Sequence, residues 1–254
     1  MASAMVLAAP AGMAWQSTDV PSRTRSLLLL GAVVAMLVVT NVLAHFAGHW
    51  VGIVVVPVAA VLLVGGSRLA GMRWREMGLS PKELRAGVPY ALAAVVAVFA
   101  VVSVAVAIPA TRQFFLSDRY DSASEALLAG LVVIPLQTVL PEELMFRGVL
   151  QGALGRVFGV RWMLGLGALA FGLWHISSSL GLTEGNEGLS DLLGSGTFGQ
   201  IVGILGAVVA TSVAGLVLGW LRLRTTSLLA PISLHWALNA VGALGAAVAW
   251  HLPS

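Results

Sequence analysis

The sequence predicts an all-α protein, a polytopic transmembrane helical bundle with seven spans or eight helices. Two observations carry that prediction. Of the 254 residues, 58% are hydrophobic and only 10% are charged, with a mean hydropathy of +0.94, whereas soluble domains carry about 25% charged residues. The apolar residues also come in blocks of about 20, the length at which a helix crosses a hydrocarbon core. The absence of cysteine excludes a disulfide framework, a thiol nucleophile and a Cys-ligated metal. The formal charge of +3 is read as membrane orientation rather than nucleic-acid binding, because arginines flanking apolar spans follow the positive-inside rule.

Taken in order, residues 1–22 lack a basic n-region, which argues against a cleaved signal peptide. They read as a short, poorly ordered tail ahead of a single transmembrane domain over 23–254. Apolar blocks follow at roughly 26–46, 50–65, 86–109, 125–155, 161–180, 199–220 and 226–250. The fourth is long and interrupted by Pro135 and Pro141, which predicts a kink near the acidic pair it carries. The last contains Pro231, which predicts a short helix followed by a longer one. Between the blocks, Arg23 and Arg25, then Arg68, Arg73, Arg75, Lys82 and Arg85, then Arg156 and Arg161, then Arg222 and Arg224 all fall on one side. That side is assigned to the cytoplasm, with the N-terminus. The opposite side holds GLTEGNEGLSDLLGSGT, without Lys or Arg, and a mixed loop with Arg112, Asp118, Arg119, Asp121 and Glu125. Trp50, Trp162 and Trp250 near span ends fit an interfacial belt. Glycine pairs four residues apart, such as Gly148/Gly152 and Gly215/Gly219, let helix backbones approach and read as packing. No strong internal repeat is present, which argues against the repeated architecture of many transporters.

Nine of the eleven acidic residues fall in loops or the tail on this division; Glu142 and Glu143, in VLPEELMFRGVLQG (139–152), do not. An ionisable group at mid-bilayer costs at least about 2.5–3.5 kcal/mol and marks function by default. Glu143 and Arg147 are four residues apart on one helical face and read as an ion pair. Glu142 projects about 100° away from Glu143 and is free to face something else. Two later spans offer partners: FGLWHISS with His175, and SLHWALNA with His235 and Asn239 sharing a face. Counting about 1.5 Å per residue, Glu142 lies roughly 21 Å from Arg156 and His175 roughly 21 Å from Arg161. His235 and Asn239 lie roughly 16 and 22 Å from Arg224 by the same rise. One membrane layer thus receives a carboxylate, two imidazoles and an amide. His45, His49 and His251 fall near span ends and read as interfacial.

Desolvation disfavours the charged form of a carboxyl, so a carboxylate out of bulk water is a better base toward a nearby water. Glu142 with His175 can activate that water, and His235 with Asn239 can supply donors to the oxyanion of an attacked amide. Alternatively Glu142, His175 and His235 can bind a divalent metal such as zinc, which activates its own water. Both routes hydrolyse an amide, and the residues alone leave the choice open. Ser177, Ser178 and Ser179 follow His175 without a nucleophile-elbow pattern, and no HExxH, P-loop or dinucleotide fingerprint is present. Against the enzyme stands a non-catalytic membrane protein: a metal or proton transporter using the same residues as an ion relay, or an immunity or scaffold protein.

EExxxR (Glu142, Glu143, Arg147), FxxxH (Phe171, His175) and HxxxN (His235, Asn239), in that order on separate apolar helices, resemble the CPBP family, the CAAX proteases and bacteriocin-processing enzymes. The similarity covers residues 125–245, a protease-like core; the first three spans resemble the family only in being helices. The resemblance implies an intramembrane endopeptidase acting on a peptide or membrane-protein substrate, with its site open to the cytoplasm. By position, Glu142 and His175 would activate water, His235 and Asn239 would stabilise the oxyanion, and Glu143, Arg147 and Phe171 would support the site. The family is described as metalloproteases, with a metal-free glutamate mechanism also argued for its CAAX members. An abundance of Ala, Val, Gly and Arg with a single Lys points to a GC-rich bacterial genome, and nothing in the sequence indicates a prenylated substrate.

Overall fold

The structure, a computed structural model, describes residues 22–116, 120–180, 194 and 196–252. The tail before residue 22, most of the acidic loop and residues 117–119 lie outside the described residues. Among the described residues the regular elements are all helical. Two long helices open the chain, α1 (Arg23–Phe46) and α2 (His49–Leu69). Ser22 starts α1 by accepting the Arg25 N–H on its hydroxyl, which satisfies one of the free donors of a first helical turn. The pair reverses at Ala47–Gly48, where Gly48 takes a φ of 102°, a conformation open to glycine. Helix α3 (Pro81–Ala107) begins on a proline, whose missing N–H is not needed there. A single turn, α4 (Pro109–Arg112), follows. Then come α5 (Ala123–Val157), α6 (Val160–Trp174), α7 (Thr197–Thr225) and α8 (Leu229–His251).

Six of these helices, α1, α2, α3, α5, α7 and α8, are long and apolar enough to cross a membrane, and α6 is shorter and apolar. The chain is a multi-pass membrane protein. Large apolar side chains on the outer faces, such as Leu28, Val96 and Val213, are exposed, as a lipid-facing surface requires. Trp50, Trp162 and Trp250 are exposed as well.

Helix α5 is the axis of the bundle. Between Val139 and Leu154 only Leu140 and Leu144 are more than marginally accessible, because α1, α2, α6, α7 and α8 all pack against this stretch. The interruption predicted at Pro135 and Pro141 takes the form of a change in winding. Each proline deprives a carbonyl four residues back of its donor, and the segments Ala129–Val139 and Leu144–Leu150 flank the acidic pair as π-helical turns. At the boundary the Leu140 N–H reaches the Pro135 carbonyl, five residues back. Pro231 does not divide the last span. It is the third residue of α8, inside the first turn, whose N–H groups have no intrahelical acceptor in any case.

One end of the bundle is tied by the loop between α2 and α3. Met72 and Met77 are fully buried there. Glu76 accepts two bonds from Arg156, at 2.9 and 3.0 Å, and Arg156 also donates to the Gly71 carbonyl. Arg222 donates to the Glu76 carbonyl, and the Leu228 N–H donates to Gly78 at 3.0 Å. The ends of α2, α5 and α7 and the start of α8 therefore meet on one side, as the distribution of arginines predicts. Glu83, placed among the loop acids by sequence, is buried in the first turn of α3, 3.3 Å from Arg75.

Candidate active site

Both glutamates of the acidic pair face protein. Glu143 is fully buried, and its Oε1 accepts from Arg147 Nη1 at 2.8 Å. The same oxygen lies 2.9 Å from His235 Nδ1. A carboxylate oxygen accepts, so Nδ1 of His235 is the donor, and in the neutral form of the ring the lone pair sits on Nε2. That Nε2 stands 4.0 Å from Glu142 Oε2. Glu142 is held from the other side by the indole of Trp174, whose Nε1–H donates to Oε1 at 3.1 Å. Its Oε2 is buried and has no hydrogen-bond donor among the described residues. The predicted Glu143–Arg147 pair is thus present, with His235 as a third member.

An aromatic wedge supports these groups. The Arg147 guanidinium lies 3.9 Å from the centre of the Phe171 ring, a cation–π contact strengthened by exclusion of water. Phe171 meets the rings of His175, His235 and Phe146 edge-on at 4.6, 5.8 and 5.2 Å. Phe146 also packs edge-on against Trp174. These geometries match the charge distribution of aromatic rings. Phe171, one of three residues to which the resemblance gives a supporting role, thus touches both imidazoles and the arginine.

His175 caps the C-terminal end of α6. Its Nδ1 lies 2.8 Å from the Phe171 carbonyl, so Nδ1–H is the donor and Nε2 is left free. The ring is partly accessible, and among the described residues it pairs with neither glutamate. Asn239 lies on the predicted face of α8 but donates back to the His235 carbonyl at 3.2 Å and is exposed. The depth of His235 is also smaller than the count from Arg224 gives, since α8 begins only at Leu229; six residues of helix amount to about 9 Å.

Trp174 is the residue that sequence reading missed. Its indole makes a direct contact with the glutamate at the centre of the site, yet a tryptophan in an apolar span carries no signal beyond its position next to His175. For a metal, the donor chemistry is suitable: both imidazoles have Nδ1 engaged by an oxygen, the usual arrangement around a ligating Nε2. The spacing is not. Among the described residues no three His or acidic side chains converge as a metal set, so no step is routed through one.

Residues 124–241 match a protein-family model described as type II CAAX prenyl endopeptidase Rce1-like. The match agrees with the resemblance carried by the three motifs and contains every site residue named above. No curated protein and no solved structure matches the chain.

Proposed function

We propose that the chain, whose residues 124–241 match an Rce1-like family model, is an intramembrane endopeptidase that hydrolyses a peptide bond with a water held between Glu142 and His235. The observation that carries this reading is the pair of acceptors Glu142 Oε2 and His235 Nε2, 4.0 Å apart, one of them buried without a donor. A water between them gives one hydrogen bond to each and turns its own lone pair outward. As its oxygen bonds to the substrate carbonyl carbon, a proton passes to Glu142 and the carbonyl π pair moves onto oxygen. When the C–N bond breaks, the leaving nitrogen takes that proton from Glu142.

In this scheme His235 shares water activation rather than donating to the oxyanion, because Glu143 sets its tautomer. Asn239, after rotating away from the His235 carbonyl, donates to the oxyanion. His175 offers its free Nε2 at the partly accessible end of α6 to the reacting groups. Trp174 aims the Glu142 carboxylate, and Glu143 and Arg147 brace His235. We place the site in one membrane domain, residues 23–254, with 125–245 as the protease-like core. It opens toward the arginine-rich side, which we assign to the cytoplasm. Its substrate is a peptide or membrane protein.

The test compares wild type with Glu142→Gln in the native host at matched expression, by labelling new protein termini across the membrane proteome. Glutamine keeps an acceptor for the Trp174 indole while removing the base. Termini that vanish in the variant, and return when purified wild type is added to the named substrates, support the reading. Identical termini at normal protein levels would overturn it in favour of a transporter or scaffold.

A further inference from the structure

The three motifs lie on α5, α6 and α8, and nothing in the sequence assigns α1 a part in the site. The structure does. Asn41, a half-buried amide four-fifths of the way along α1, donates from Nδ2 to the backbone carbonyl of Trp174 at 2.8 Å. Its Oδ1 accepts from the Ser177 hydroxyl, also at 2.8 Å. Both ends of one amide are thus engaged with the segment that leaves α6, which carries Trp174 and His175. Carbonyls in the last turn of a helix have no intrahelical donor, so a donor from another helix fixes where that turn ends. The Trp174 indole then reaches Glu142, which completes a chain of contacts from α1 to the buried carboxylate.

We infer that Asn41 is a positioning residue for the reaction: by clamping the end of α6 it holds the Trp174 indole on Glu142. This rests on the peptidase reading for its consequence in catalysis, but not for the contact it describes. An asparagine is also costly in a lipid-facing helix unless it is satisfied, and the Trp174 carbonyl and Ser177 hydroxyl satisfy it.

The test has one readout that needs no activity. Protein labelled with fluorotryptophan gives a fluorine NMR resonance for Trp174, identified by its loss in Trp174→Phe. That resonance should shift in Glu142→Gln and also in Asn41→Ala. Against a substrate identified as above, Asn41→Ala should lower kcat roughly tenfold or more with little change in KM or Tm. In a Trp174→Phe background it should cost nothing further. Asn41→Gln, which keeps the amide on a longer arm, should behave like Asn41→Ala. An unmoved Trp174 resonance in Asn41→Ala would overturn the inference. So would a loss of kcat equal in both backgrounds and accompanied by a lower Tm, which marks a purely structural role. A resonance that moves while wild type cleaves nothing would leave the contact standing and refute the peptidase reading instead.

Discussion

Glu143 and Glu142 are neighbours in sequence with different partners, Arg147 and His235 for the first and Trp174 for the second. Glu143 accepts both its bonds on one oxygen: arginine and imidazole meet at Oε1, while Oε2 is buried without a hydrogen-bond partner among the described residues. Removing Glu143 leaves a buried guanidinium without its counter-charge, so Glu143→Ala should destabilise the protein by about 3–5 kcal/mol, visible as a lower unfolding temperature in detergent. Glu142 has one hydrogen-bond donor among the described residues, the Trp174 indole. A hydrogen bond to a charged acceptor is worth about 1.5–3 kcal/mol. Trp174→Phe should therefore lower kcat by roughly tenfold to a hundredfold while thermal stability stays near wild type. Unchanged kcat would remove Trp174 from the site. The acidic pair was legible in sequence because charge at membrane depth is conspicuous. Trp174 was not, since an indole in an apolar span is compositionally ordinary. The bond from His235 to Glu143 joins residues 92 apart in the chain, and helical spacing alone cannot reveal it.

At the scale of the helix, the informative positions are those where one backbone meets another. Gly172 of α6 faces α7. A Cβ there would meet the Val208 carbonyl oxygen at 2.7 Å and collide with the Ser212 side chain. Gly172→Ala should cost about 1–3 kcal/mol by overpacking, and adding Ser212→Gly should recover only part of it, because a backbone carbonyl cannot be trimmed. Full recovery in thermal unfolding would show that the serine alone sets the distance. Helix existence followed directly from apolar block length: each predicted span contains a helix, the fifth ending at Trp174 and the seventh starting at Leu229. Winding did not follow. Proline predicts an interruption, but whether the chain bends or widens depends on neighbours that can hold the displaced carbonyls, and α5 is surrounded by them. The early end of α6 was hidden for a similar reason: the apolar pattern continues through Ile176, while Asn41 and Ser177 determine where the turn closes.

At the scale of the molecule, the arginine-rich loops predicted to share a side are joined by hydrogen bonds through the loop between α2 and α3. Which compartment they face is open to direct measurement, since the chain has no cysteine of its own. With the cytoplasmic assignment, Arg73→Cys should react with an impermeant thiol reagent only after cells are opened. Gln113→Cys, exposed at the other end, should react in intact cells. The reverse pattern would invert the topology and move the mouth of the site to the outer face. The same tied loop sets an order in time. Glu76 finds a partner in Arg222, 146 residues further along, and at about 5–20 residues per second the ribosome needs roughly 7–30 s to deliver it. Throughout that interval Met72 and Met77 have no finished cavity to enter. The nascent bundle therefore stays unlatched, and open to quality-control proteases, until α7 and the turn that follows it have been made.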